Sequence, residues 1–225
     1  MTEPQQNTET TSEETSTGVG LVTTLSRVVW LAILLGFAME ILILLFAAGF
    51  AALPGPASVI ADLVGKVTWS TLVCAGLAIG TVVSRIRAPV MGLLGFFTAA
   101  LAFNVSRALQ QGVAKTVEEV AAGVSGGNET LFVLALIKAV EYGCLGVAIG
   151  WVGGRPWGGA LTHAAVGLVV GVFFGGAIVS LTYWTAPEPL ATPDLISRAV
   201  NEILFPVGCS LVLFAATAIG KRAES

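Results

Sequence analysis

Three ionisable residues stand inside long apolar runs of this chain: Glu40, Lys138 and Glu141. A charge held at the centre of a bilayer costs about 2.5–3.5 kcal/mol on insertion scales, so such groups face the interior of a helix bundle and find partners there. Glu40 lies between Met39 and Ile41 with only apolar neighbours. It reads as a proton or cation site, or as one half of an interhelical salt bridge. Lys138 and Glu141 are three residues apart, which puts them on one face of a helix. The depth of Glu141 matches that of Glu40, so Lys138 is expected to bridge the two carboxylates. One cation between two acids leaves a net negative site that can take a proton. The plain alternative is structural pairing.

A second polar set falls closer to one membrane surface. Asp62 and Lys66 are four residues apart, as are Arg198 and Glu202, and each pair opens an apolar run. At that spacing both read as helix-end ion pairs, or as the wall of a substrate vestibule that Asn104 and Arg107 join. Pro206, one turn after Glu202, removes a backbone hydrogen bond and allows a kink. The one histidine, His163, follows Arg155 and Trp157 near the start of another run. It reads as a locally hydrogen-bonded side chain or as a protonation site.

Other chemistries find little support. The sequence has no HExxH, no GxSxG and no paired-cysteine motif. With one histidine, a Ser–His–Asp triad has no home. Cys74, Cys144 and Cys209 all fall in apolar segments and read as small packing residues rather than as disulfides or metal ligands. No enzyme activity, metal or other cofactor is expected. The net charge of −3 and the lack of any basic stripe argue against a nucleic-acid partner.

The elements that must position these groups are set by hydropathy. Only 11% of the residues are charged and 55% are hydrophobic, with a mean hydropathy of +0.88. A soluble domain carries roughly 25% charge. The fold class is therefore an all-α, polytopic membrane bundle whose partner is the lipid bilayer. Six stretches are long enough to cross it as helices: 28–53, 59–83, 89–109, 131–152, 160–184 and 195–219. Leu53-Pro54-Gly55-Pro56, Pro89, Pro156, Pro187, Pro189 and Pro193 punctuate them.

Arg27, Arg85, Arg87, Arg155, Lys221 and Arg222 fall on one side of a six-span arrangement. The opposite loops hold Lys115 with Glu118, Glu119, Glu129, Glu188 and Asp194. The first side is thus expected to be cytoplasmic, with both termini there and the chain in the plasma (inner) membrane. Trp30, Trp151 and Trp157 mark the inner interface, Tyr183 and Trp184 the outer.

Residues 1–18 are rich in Thr, Glu and Gln and lack a basic leader, so they read as a disordered acidic tail before the membrane domain at 19–220 and a short tail at 221–225. The long loop 110–129 carries Val113, Val117, Val120, Ala121 and Val124 at helical spacing, with Thr116 and Glu119 at capping-box distance. It reads as a short surface helix, and Asn128 heads the span that follows.

A repeat runs through the even spans. Cys74-Ala75-Gly76-Leu77-Ala78-Ile79-Gly80 resembles Cys144-Leu145-Gly146-Val147-Ala148-Ile149-Gly150, 70 residues on, and Ala218-Ile219-Gly220 continues the series. Three repeated helical hairpins are the architecture this suggests, and repeats are common in transporters.

Two functions fit. The first is a small transporter or channel whose polar site holds Glu40, Lys138 and Glu141. The second is a non-catalytic subunit of a larger membrane complex, or a homo-oligomer. It is suggested by small-residue faces at Gly76, Gly80, Gly146, Gly150, Gly171 and Gly175, which permit close helix contact.

Overall fold

A computed structural model describes residues 6–83, 87–116, 128–186 and 188–223. They form helices α1 (Gln6–Gly49), α2 (Pro56–Val83), α3 (Arg87–Thr116), α4 (Asn128–Val152), α5 (Ala160–Val170), α6 (Gly176–Thr185) and α7 (Thr192–Ala223). A single π-helical turn, Gly171–Gly175, joins α5 to α6, so the three make one span. Six helical stretches are long and apolar enough to cross a membrane. Helix is the form such segments take because lipid offers no partner for an unpaired N–H or C=O.

The bundle is inside-out relative to a soluble protein. On α1, Trp30, Leu34, Phe37, Ile41 and Leu45 recur every three or four residues and are all exposed. On α4 the exposed row is Phe132, Leu136, Val140, Val147 and Trp151. The opposite face of α4 buries Leu134, Lys138, Glu141, Tyr142, Leu145 and Ile149. The outward rows are thus wholly apolar, whereas the buried face of α4 mixes large apolar side chains with the charged Lys138 and Glu141. Trp151 pairs edge-on with Trp157, and Tyr183 with Trp184, at opposite ends of the bundle.

Helix contacts follow a pattern of three. Helices α2, α4 and α7 touch one another at the centre. Helix α1 lies against α2 and α7, α3 against α2 and α4, and the α5–α6 span against α4 and α7. The repeated motif does not follow this pattern. Gly76 and Gly80 of α2 abut Thr98 and Met91 of α3, while Gly146 and Gly150 of α4 abut Met91 and Ala88 of the same helix. The two copies both pack against α3 and share Met91. Their likeness therefore reflects a shared need for a backbone groove that admits α3, and Gly220, in the third copy, lies by Arg27 of α1 instead.

Several boundaries differ from the sequence expectation. Helix α1 extends back to Gln6, within the segment whose composition suggests a disordered tail. Lengthening an existing span avoids the nucleation penalty. Helix α3 runs on to Thr116, whose hydroxyl donates to the Val113 carbonyl at 2.7 Å rather than capping a new helix. The rest of the expected surface helix, 117–127 with Glu118 and Glu119, lies outside the described residues, as does Arg85. Pro156 falls in the connection 153–159, four residues before α5.

Helix α1 ends in a turn that places Ala51 at φ 53. The amide of Ala52 reaches back to the Ala47 carbonyl and that of Ala51 to Ala48. This is the left-handed helix terminus that glycine normally supplies.

Candidate functional site

Helices α2, α4 and α7 all start at the end of the bundle opposite the chain termini, here the far end. Lys66, Lys138 and Glu202 each stand ten residues after the first residue of their helix, Pro56, Asn128 and Thr192. At 1.5 Å per residue they lie about 15 Å along it. Three contacts confirm a common level: Cys74 of α2 meets Cys209 of α7, Trp69 of α2 meets Tyr142 of α4, and Lys138 of α4 meets Glu202 of α7. The charged groups inside the bundle therefore form one layer, in the half nearer the far end.

That layer holds two clusters of the same composition, a lysine between two carboxylates. In the first, the Lys66 ammonium donates to Glu40 Oε2 at 2.6 Å, and Asp62 lies 4.0 Å away on the same helix. Glu40 is buried and Asp62 is half exposed. The Gln110 amide donates to Asp62 at 3.4 Å, so α3 joins from the side.

In the second cluster, Lys138 Nζ lies 2.9 Å from Glu141 Oε2 and also contacts Glu202 Oε2. Glu141 is wholly buried, and its Oε1 has no hydrogen-bond partner among the described residues. Two aromatic rings complete the surroundings. The ammonium sits 5.7 Å from the Trp69 ring centre and 5.6 Å from that of Tyr142. The rings stand edge-on at 5.5 Å, and the indole N–H donates to the Tyr142 hydroxyl at 3.3 Å. Trp69 lies one turn from Lys66 on α2, so the helix that carries the first cluster also supplies a wall of the second.

The helix carrying Glu202 is locally loosened. Pro206 stands four residues on and has no N–H, so the Glu202 carbonyl lacks its helical donor. The π-helical turn packs at this point: Gly171 meets the Ile203 carbonyl and Gly175 the Glu202 backbone. A β-carbon at Gly171 would collide with the α7 backbone, and one at Gly175 would press tightly on Glu202. Single π-helical turns concentrate at functional sites.

The expected site residues are therefore distributed as follows. Lys138 and Glu141 pair as their spacing predicts. Lys138 bridges Glu141 to Glu202, not to Glu40, because Glu40 turns to Lys66 on the neighbouring helix. Glu202 is drawn across the bundle rather than along α7 to Arg198. Asn104 is exposed and donates to its own helix at Ala100, outside either cluster. Arg107 is half buried on α3. His163 is remote: its Nδ1 lies 2.9 Å from the Gly159 carbonyl and its ring packs on Phe214. It is 12 residues from Gly175, or roughly 18 Å along the span.

Sequence reasoning missed Trp69, Tyr142 and Gln110. The signal for the two aromatics was their position, three and four residues after an intramembrane lysine, where a ring shares the lysine's face. Nothing in the sequence marks Gln110. No group of three or more His, Cys, Asp or Glu able to hold a metal occurs among the described residues.

Fold and site define a six-span helical membrane protein with a charged, aromatic-walled centre in its interior. No family model, curated protein or solved structure matches the chain.

Proposed function

We propose that this chain is a small proton-linked cation transporter of the plasma membrane, with both termini cytoplasmic, and that Lys138, Glu141 and Glu202 form its binding centre. The observation that carries the reading is the wholly buried Glu141, which shares one lysine with Glu202 and keeps an oxygen without a partner. For stability alone, well-packed apolar residues serve as well as or better than a buried ion pair. With every group charged, the cluster carries one net negative charge, which a proton or a cation neutralises. It lies where the three central helices meet, and Pro206 with the π-helical turn gives Glu202 freedom to move. Arginines at the terminal end support the orientation.

The alternative reading, a scaffolding subunit, loses its motive. Gly76, Gly80, Gly146, Gly150, Gly171 and Gly175 all face helices of this same chain, so these small-residue faces are filled without a partner.

The test is proton flux in liposomes loaded with a pH-sensitive dye, under an imposed potential. Wild type is expected to move protons above the empty-liposome rate, and Glu141→Gln and Glu202→Gln to lose at least about tenfold, the effect of roughly 1.4 kcal/mol on a barrier. Unchanged flux in correctly folded variants rejects the assigned centre.

A further inference from the structure

The surroundings of the Lys138 ammonium have the chemistry of a receptor for a free one. Two carboxylates from different helices, Glu141 and Glu202, approach it. Two aromatic rings packed edge-on, Trp69 and Tyr142, stand within 6 Å of it. Carboxylates accept N–H bonds, and ring faces attract the cation itself, which is how proteins recognise ammonium ligands. All four walls come from the central helices α2, α4 and α7, and one carboxylate oxygen, Glu141 Oε1, is buried and unused. Lys138 enters this box on its own flexible stem, as a tethered occupant.

We propose that the cation is a primary alkylammonium, and that it binds in the box of Trp69, Tyr142, Glu141 and Glu202 when Lys138 withdraws. This rests on the transport reading above and names its substrate. Lys138 then acts as an internal competitor: it holds the box closed between cycles at one net negative charge, and it keeps inorganic cations from the two carboxylates. An alkali ion prefers several oxygen ligands, and two of the four walls here are rings. A primary ammonium uses both kinds.

Two measurements test this together. The first is thermal unfolding in detergent with n-butylammonium chloride, against sodium and potassium chloride at equal ionic strength. Lys138→Ala empties the box, and n-butylammonium is expected to raise its Tm by roughly 5 °C near saturation. Lys138→Ala/Glu141→Gln is expected to show no selective rise. The second is uptake of radiolabelled putrescine, whose two charges keep it from crossing lipid unaided, into liposomes bearing the wild-type protein. Accumulation at least several times that of empty liposomes is expected, and competition by n-butylammonium.

A Tm rise in the alanine variant without wild-type uptake would make Lys138 a structural counter-ion and overturn the proposal. Equal shifts with sodium, potassium and n-butylammonium would overturn it too. Should Lys138→Ala not fold, wild-type uptake decides alone. Proton flux without putrescine uptake removes this inference and leaves the transport reading intact, whereas loss of both removes both. Putrescine uptake without proton movement retains the ammonium box and discards proton linkage.

Discussion

Pro206 stands four residues after Glu202, so the carbonyl of a charged centre residue has no amide to receive within its own helix. Below that point α7 packs its apolar residues Cys209, Val212, Leu213 and Ala216 into the core. Above it lie Glu202, Arg198 and the turn to the α5–α6 span. The proline marks the joint between a fixed segment and a charged one.

Pro206→Ala supplies the missing donor and stiffens the joint. Proline in a helix interior costs about 3 kcal/mol in isolation, though native packing around the bend offsets much of it. The variant is expected to keep or raise its Tm and to lose transport rate, measured by thermal unfolding beside liposome flux. Faster transport from a stiffer helix would refute the hinge.

The Lys66–Glu40 pair joins α2 to α1 with both side chains largely buried. Removing one member of a buried pair leaves an uncompensated charge and costs about 3–5 kcal/mol. Lys66→Met is expected to destabilise strongly, and Glu40→Gln added to it to recover much of the loss. A double-mutant cycle by chemical unfolding in detergent should give a coupling above about 1 kcal/mol. Additive effects would mean that the 2.6 Å contact contributes nothing net.

Ala51 is in the left-handed region, where a side chain other than glycine costs roughly 1–2 kcal/mol. Ala51→Gly should therefore raise stability by up to about 1 kcal/mol, since part of the gain is returned as unfolded-state entropy. A Tm shift downward would show that the turn is not formed.

Gly95 lies against the Tyr142 carbonyl, with no room for a β-carbon beside that backbone. Gly95→Ala must part α3 from α4 or twist α4. Overpacking of this kind costs about 1–3 kcal/mol, and here it also displaces Tyr142 from Trp69 and Lys138. A lowered Tm with weakened n-butylammonium binding in the Lys138→Ala background is expected.

How much of this was legible in the chain depends on the dimension of the signal. Hydropathy is read along one axis, so the six spans emerge from the sequence with only their ends misplaced, as at Gln6 and Thr116. The Lys138–Glu141 pair is equally local, being fixed by helical geometry. Pairing between helices is not. Lys66 has Asp62 one turn away, yet takes Glu40 at the shorter distance because of how α1 is rotated against α2. Glu202 likewise leaves its i−4 neighbour Arg198 for Lys138. Such choices depend on helix rotation and register, which no run of letters states. Trp69 and Tyr142 were hidden for another reason: ring residues in a membrane chain are usually sorted to its interfaces, and these two are in its middle.

The placement of the charged layer in one half of the bundle has an electrical consequence. Among the described residues, buried apolar side chains lie on both sides of that layer, Leu77, Met91, Leu145 and Ile149 toward the terminal end and Ala57, Ala61 and Leu134 toward the far end. The layer stands about 15 Å into helices roughly 37–48 Å long, so less than half of a membrane voltage drops between it and the far side. Of the approximately 2.3 kcal/mol per charge available per 100 mV, the larger share falls on the step between the layer and the terminal side. That step is expected to carry more of the voltage dependence than binding from the far side does.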